Sequence, residues 1–127
     1  MEVEFLMQLL KSELDSARDD LQKSNVRFKV IGDLSQLPDA IQRALAKFIE
    51  ETTANTGLTL VLALSYSSRD EIIQAVRRIV GEAGDKRLHP EQITPELFSR
   101  YLYTRDIPDP DLLIRTSGEF RISNFLL

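Results

Sequence analysis

The sequence contains no cysteine and only one histidine, His89. Disulfide bonds and cysteine-ligated metal sites are therefore excluded, and a single histidine cannot form a histidine cluster. No apolar run approaches the length of a membrane span and no signal peptide is visible, so we expect a cytoplasmic protein. The Gly-x-Gly-x-x-Gly and Walker sequences, with which many nucleotide-binding domains hold phosphates, are missing as well.

An excess of basic residues is also missing. Lysine and arginine number 16 against 20 aspartate and glutamate residues, which gives a net charge of -4. Binding of nucleic acid needs a basic face, so we predict no nucleic-acid partner, although a local basic pocket for one small anion is compatible with this charge. The 127 residues, 43% apolar and 28% charged, are typical of one soluble globular domain, which we predict over residues 1–127.

The spacing of apolar residues alternates between helical and extended patterns. Helical spacing predicts helices over residues 3–21, from a first turn at Pro38 to just before Gly57, over residues 68–84, and in a short stretch after the Thr94 N-cap. Extended patterns predict strands at residues 26–31, 58–64 and 112–114, of which the last is short and buried. This alternation predicts an α/β fold with a mainly parallel sheet flanked by helices.

Two local patterns give more detailed expectations. The nearly continuous apolar run at residues 58–64 fits a strand covered on both faces; a buried helical turn is the alternative, and the flanking Gly57 and Ser65 favour the strand. The letters SRDE at residues 68–71 match a capping box, in which Ser68 begins the third helix. The apolar side of that helix is expected to contain Ile72, Ile73, Val76, Ile79 and Val80.

Residue types that bind anions follow the last predicted strand. Arg115 stands at its end, and Gly118 can adopt the positive φ that lets successive N–H groups converge on an anion. Arg121 and Ser123 follow two residues apart. Guanidinium groups present fork-shaped donors that match phosphate oxygens, which suggests a diphosphate site. From composition alone, a surface turn is equally compatible, with the arginines paired to Asp109, Asp111 or Glu119.

The letters of this segment resemble a known family. DLLIRTSGEFRISNFLL at residues 111–127 closely resembles the C-terminal signature of cis-prenyltransferases of the undecaprenyl diphosphate synthase type. VIGD at residues 30–33, NTGLTL at 55–60 and YSSRDEI at 66–72 are similar to further family motifs, with serines at 67–68 where many members have glycines. The resemblance covers essentially the whole chain and implies an incomplete undecaprenyl diphosphate synthase-like fold.

The resemblance also implies a reaction. Family members condense isopentenyl diphosphate with an allylic diphosphate, usually farnesyl diphosphate, to form cis-polyprenyl diphosphates such as undecaprenyl diphosphate, a lipid carrier of cell-wall synthesis. In the family, the residues that match Arg115, Arg121 and Ser123 hold the diphosphate of isopentenyl diphosphate. Glu119, which would orient an arginine, Gly118 and Arg69 are expected to support them. Mg²⁺ as cofactor, a homodimer, and peripheral membrane contact during product release are further implications.

Several parts of the family pattern have no match here. These are the Asp-Gly-Asn-Gly-Arg-Trp loop, the Phe-Ser-x-Glu-Asn-Trp loop, and the Trp-Gln continuation with its metal-binding glutamate. We therefore expect sequence to be missing at both ends, catalytic residues and metal ligands to lie outside this chain, and the 127 residues alone to have no appreciable activity. The alternatives are a non-catalytic subunit or diphosphate-binding fragment of the same fold, and an unrelated α/β phosphate-binding protein.

A product tunnel is the last implication of the resemblance, because the growing chain is long and apolar. In the family, the tunnel walls come from helices and strands that match the first predicted helix and the strand at residues 58–64 of this chain. Each apolar residue there is, taken singly, typical of an ordinary core. The candidates for the tunnel wall are Phe5, Leu6, Leu9, Leu10, Leu60 and Leu62.

Overall fold

The computed structural model describes residues 2–84, 88–116, 118–119 and 121–126, and the chain divides into two compact units, Met1–Ser65 and Tyr66–Leu127. The first unit contains helix α1 (Glu2–Lys23), strand β1 (Arg27–Ile31), a 3-10 helix (Leu34–Gln36), helix α2 (Asp39–Thr52) and strand β2 (Thr59–Ala63). The second contains helix α3 (Ser68–Gly84), a 3-10 helix (Pro90–Gln92) and helix α4 (Pro95–Ser99). The single domain predicted over residues 1–127 stays a prediction.

Strands β1 and β2 pair in parallel, with Arg27 opposite Thr59 and Ile31 opposite Ala63. Parallel strands need a crossover connection, which α2 supplies here. The apolar faces of α1, β1 and α2 meet in one core, in which the rings of Phe28 and Phe48 lie 4.6 Å apart. The predicted α/β fold with a parallel sheet and flanking helices is confirmed. The buried members of the core are Leu14, Phe28, Leu37, Ile41, Leu45 and Phe48.

Two positive-φ residues shape the ends of these elements. Asn25, at φ 56°, follows α1 in the left-handed conformation, and its side chain exchanges hydrogen bonds of 3.0 Å with the backbone N–H and the hydroxyl of Thr56. Gly32 ends β1 at φ 119°. A Cβ on Gly32 would lie 1.9 Å from the Leu64 carbonyl oxygen, so a side chain cannot fit where β1 ends beside β2.

The predicted burial of two strands is wrong. β2 forms, but Leu58 beside it and Leu60 within it are 70% and 41% exposed, so the run is not covered on both faces. Residues 112–114 are 54–79% exposed and belong to no strand. An apolar strand is buried only where neighbouring strands and helices cover it, and the sheet that the described residues form has two strands.

One predicted helix start differs from the structure, while α3 begins at Ser68 as predicted but has another capping residue. Pro38 is the N-cap of α2 and so lies just before the first turn. Ser68 is a buried first residue of α3, while the cap is Ser67, whose Oγ accepts from the N–H of Asp70 at 3.4 Å. Because serines occupy both positions 67 and 68, the sequence pattern fits either register. Glu71 does not complete a capping box with Ser68, because its carboxylate accepts from the Tyr66 hydroxyl and the N–H of Tyr103 instead.

Helix α3 buries only part of the predicted apolar side, of which Ile79 is a buried member. Its buried side chains are Ser68, Glu71, Ala75 and Ile79, whereas Ile73, Val76 and Val80 are 43–62% exposed. The chain that follows α4 returns to the Glu71 side of the helix, where Arg78 donates to the carbonyl of Tyr101 at 3.2 Å. Within the second unit, the side of α3 that contains Glu71 is therefore buried, although the apolar periodicity does not include Glu71.

Candidate anion-binding site

Residues 115–124, which we call the arginine loop, fold back on themselves. Arg115 Nη1 donates to the Ser123 hydroxyl at 3.1 Å and to the backbone carbonyl of Arg121. Positive φ angles at Gly118 (67°) and Ser123 (46°) allow the reversal. The structure thus places the Arg115 guanidinium group against the Ser123 hydroxyl and the backbone of Arg121, three positions that the sequence singles out for diphosphate binding. Ser117 and Phe120 of the loop lie outside the described residues.

The second arginine of the loop pairs with the neighbouring acid. Arg121 Nε lies 3.2 Å from Glu119 Oε2, and the side chains of the two residues are 72% and 43% exposed. This is one of the ion pairs that composition left open, and it also matches the expectation that Glu119 orients an arginine. An exposed pair of this kind contributes little to stability, so an anion can compete for the guanidinium group.

Asn124 fastens the arginine loop to the start of α3. Its carbonyl accepts from the N–H of Ser68 at 3.0 Å, and its Oδ1 accepts from the N–H of Arg69 at 3.0 Å. Its Nδ2 donates to the hydroxyl of Ser67 at 2.7 Å. The sequence pattern did not indicate this role. The available signal was the preference of asparagine for helix caps and for the left-handed conformation, here φ 62°.

The N–H groups that open α3 therefore already have acceptors within the protein. Besides the two that Asn124 receives, the N–H of Asp70 points to the Ser67 hydroxyl and that of Glu71 to the Ser67 carbonyl. The helix start can favour an anion through its dipole, while direct donors to a ligand must be side chains. Arg69 supplies such a side chain, since it is exposed on the first turn of α3.

A buried carboxylate organises the backbone on the other side of this helix start. Glu71 is 5% exposed, and its Oε2 accepts from the hydroxyl of Tyr66 at 2.6 Å. Its Oε1 accepts from the N–H groups of Tyr103 and Thr104 at 2.6 and 3.3 Å. Burial, and then the hydrogen bond to Glu71, raise the pKa of the Tyr66 hydroxyl above its ordinary value. The ring of Tyr66 meets that of Phe125 edge-on at 5.6 Å, next to the arginine loop.

A cavity of about 430 Å³ adjoins Tyr66 and Glu71 within the second unit. Residues 107–111 form one wall, which includes the acidic residues Asp109 and Asp111. Negative charge disfavours a phosphate there, because like charges repel most strongly where water is partly excluded. A diphosphate is therefore expected at the arginines of the loop and not in this cavity.

The implied metal does not fit the residues at hand. Across residues 2–84, 88–116, 118–119 and 121–126, no group of three or more histidine, cysteine, aspartate or glutamate side chains could hold a metal ion. The predicted location of the Mg²⁺ ligands outside this chain stays a prediction, and no chemical step is assigned to the metal. In the same residues, no helix is long and apolar enough to cross a membrane.

The candidate tunnel residues all lie in the first unit. Phe5, Leu6 and Leu9 on α1 are 45–64% exposed, as is Leu60 of β2 at 41%. Leu10 and Leu62 pack against the core instead. Four of the six candidates are thus exposed and two pack against the core, and the tunnel itself stays a prediction.

Comparison with known proteins shows the family of the chain. A family model described as putative undecaprenyl diphosphate synthase matches residues 1–127. The chain belongs to this family. The isoprenyl transferase of Rhizobium meliloti (strain 1021) is 52% identical over 126 residues, a match that covers 99% of this chain and 51% of that protein. The chain spans about half the length of the curated family members that it matches.

Solved structures of similar proteins have the same fold. Lavandulyl diphosphate synthase from Lavandula x intermedia, in complex with dimethylallyl diphosphate, is 37% identical with a TM-score of 0.95, covering 100% of this chain and 56% of that chain. A probable undecaprenyl diphosphate synthase from Campylobacter jejuni is also 37% identical, with a TM-score of 0.81, covering 98% and 56%. The resemblance read from the sequence is thus confirmed.

Proposed function

We propose that the protein condenses isopentenyl diphosphate with an allylic diphosphate to form a cis-polyprenyl diphosphate. This chain carries the isopentenyl diphosphate half of the active centre. Arg115, Arg121 and Ser123 hold the diphosphate of that substrate. Gly118 and Glu119 shape the arginine loop, and Arg69 adds positive charge from the start of α3.

The hydrogen bond from Arg115 to the Ser123 hydroxyl carries this proposal. It joins residues eight positions apart, so it requires the folded arrangement of the loop. A guanidinium group has several N–H donors, and both bonds described for Arg115 start from Nη1. The remaining donors of Arg115, the side chain of Arg121 and the Ser123 hydroxyl can therefore address the same anion, as charge-assisted hydrogen bonds.

The arrangement assigns a definite task to these residues. The two arginines offset the charge of the diphosphate, and the hydroxyl fixes its orientation. With its diphosphate fixed, isopentenyl diphosphate presents its alkene to the allylic carbon in one geometry, which removes much of the entropic barrier to carbon–carbon bond formation. The described residues of this chain are thus assigned to binding and positioning.

The allylic partner is proposed from the family. Dimethylallyl diphosphate, present in the lavandulyl diphosphate synthase structure, is an allylic diphosphate, which supports this class of second substrate. The homodimer, the peripheral membrane contact and the dependence on Mg²⁺ that the resemblance implies are parts of the same proposal. They rest on family membership alone.

Titration calorimetry with isopentenyl diphosphate tests the site. We expect Arg121→Ala to raise the Kd by about tenfold or more, because charge-assisted hydrogen bonds are lost. The matched control is Arg105→Ala, since Arg105 is also exposed and pairs with its neighbour Asp106 at 3.5 Å. Unchanged affinity in Arg121→Ala, or an equal loss in both variants, would refute the assignment.

A further inference from the structure

Asn124 occupies a position that few residues could fill. Its φ of 62° is left-handed, a conformation that glycine and asparagine adopt readily and most other residues do not. Its side chain uses both a donor and an acceptor, towards the Ser67 hydroxyl and the Arg69 N–H. Glycine would satisfy the backbone but neither contact, and aspartate would supply only the acceptor. Asparagine alone meets all of these requirements.

These contacts hold the C-terminal end of the arginine loop against the first turn of α3. Ser123 directly precedes Asn124 and is itself exposed and left-handed, at φ 46°. Its hydroxyl receives Arg115 Nη1, so the position of Asn124 also fixes that guanidinium group. The other end of the connection is the first turn of α3, a helix of 17 residues that provides a stable base. A surface turn is thereby tied to a regular element.

We infer that Asn124 is a positioning residue for the diphosphate site: it holds Ser123 and Arg115 in binding geometry before the substrate arrives. This inference rests on the proposed function of the arginine loop. A loop that is already ordered loses less conformational entropy on binding, so affinity rises without any contact between Asn124 and the ligand. Loss of the two side-chain contacts then lowers affinity by reducing the fraction of loops in the competent arrangement.

The decisive variant is Asn124→Gly, which keeps the left-handed backbone and removes only the side chain. We expect the Kd for isopentenyl diphosphate to rise by about tenfold, from the loss of two hydrogen bonds that order the loop. In a Ser123→Ala background the same substitution should change the Kd by less than about twofold, because the group that Asn124 positions is already gone. A merely structural role would give equal effects in both backgrounds.

Asn25→Gly is the matched control. Asn25 is also exposed and left-handed, at φ 56°, and its side chain also makes a donor and an acceptor contact, both to Thr56 in the first unit. The Kd should be unchanged in this variant. Amide hydrogen exchange adds a reading that needs no ligand: the N–H of Arg69 should exchange faster in Asn124→Gly and recover protection in Asn124→Asp, which restores the acceptor.

The outcomes separate the two proposals. If Arg121→Ala weakens binding while Asn124→Gly binds like the unaltered protein, the inference is wrong and the diphosphate site stands. If the unaltered protein does not bind isopentenyl diphosphate, both fall, and faster exchange at Arg69 in Asn124→Gly would show that the contact exists without serving this ligand. A tenfold loss that disappears in the Ser123→Ala background supports the inference.

Discussion

Removal of the Glu71 carboxylate should destabilise the second unit strongly. This side chain is 5% exposed and accepts three hydrogen bonds, from the hydroxyl of Tyr66 and the N–H groups of Tyr103 and Thr104. In Glu71→Ala all three donors lose this acceptor within a buried site. At about 1–3 kcal/mol for each donor left without an acceptor, with partial relief by water, we expect a loss of about 3–5 kcal/mol.

Glu71→Gln separates charge from shape. The amide oxygen can still accept from the two backbone N–H groups, and the amide nitrogen can donate to the Tyr66 hydroxyl, which is able to accept. Only the charge assistance of the hydrogen bonds is lost, so we expect a decrease of about 1–2 kcal/mol in the free energy of unfolding. The order of stability should be Glu71, then Gln, then Ala.

Urea unfolding followed by tyrosine emission measures these differences in the right place. The chain has three tyrosines and no tryptophan, and Tyr66, Tyr101 and Tyr103 all lie in the unit Tyr66–Leu127. Glu82→Gln is the matched control, because Glu82 on the same helix accepts from Tyr101 at the same 2.6 Å but on the exposed surface. Equal shifts of the midpoint in Glu71→Gln and Glu82→Gln would refute the importance of burial.

Three further predictions concern stability. Gly32→Ala should lose about 3 kcal/mol or more in chemical denaturation, since its Cβ would meet a backbone oxygen at φ 119°, whereas Gly81→Ala, in open space on α3, should gain about 0.5–1 kcal/mol. Thr52→Val should lose about 1–3 kcal/mol of stability, because the buried Thr52 hydroxyl accepts from a β1 N–H at 3.1 Å. Thr53→Val removes one exposed hydrogen bond to a carbonyl and should change stability little. Thermal unfolding of both variants checks this, and equal losses would contradict it. The raised pKa of Tyr66 contributes stability that is present below the unfolded pKa of about 10 and lost as the pH rises through the folded-state pKa; this dependence should weaken in Tyr66→Phe, and an identical pH profile would contradict it.

Local signals in the sequence predicted the elements well. Thr94 caps α4 as expected, with its hydroxyl accepting from the N–H of Leu97 at 3.2 Å, and Asn25 ends α1 in the left-handed conformation. The Thr94 cap depends on a residue three positions away, so the local pattern contains its whole cause, whereas Asn25 also contacts Thr56, 31 positions away. The parallel pairing of β1 and β2 could be predicted from the helical pattern between them, because parallel strands need a crossover connection.

Burial and register depended on partners that a local pattern does not show. The apolar run of β2 predicted a strand correctly, but which faces are covered depends on the surrounding layers. On α3 the buried face contains Glu71, which the apolar periodicity did not indicate. The hydrogen-bond partners of Glu71 at residues 103 and 104 are 32 and 33 positions away. In such cases periodicity identifies the helix and predicts only part of its buried face.

The candidate site shows the same division. The sequence indicated Arg115, Arg121 and Ser123 by residue type and by family resemblance, and the structure places them together in the arginine loop. It did not indicate Asn124, because the N–H of Arg69 that defines its role lies 55 positions away. Side chains that contact a ligand can be recognised by their chemistry, whereas side chains that position them become visible only in the fold.

A crystal structure of the protein with isopentenyl diphosphate tests the central claim most directly. We predict diphosphate oxygens within about 2.7–3.2 Å of both guanidinium groups, Arg115 and Arg121, and of the Ser123 hydroxyl. Arg121 should then turn from Glu119, 3.2 Å away in the present structure, towards the phosphate. A diphosphate bound elsewhere, with Arg121 still paired to Glu119 and Arg115 without phosphate contact, would contradict the assignment of this site.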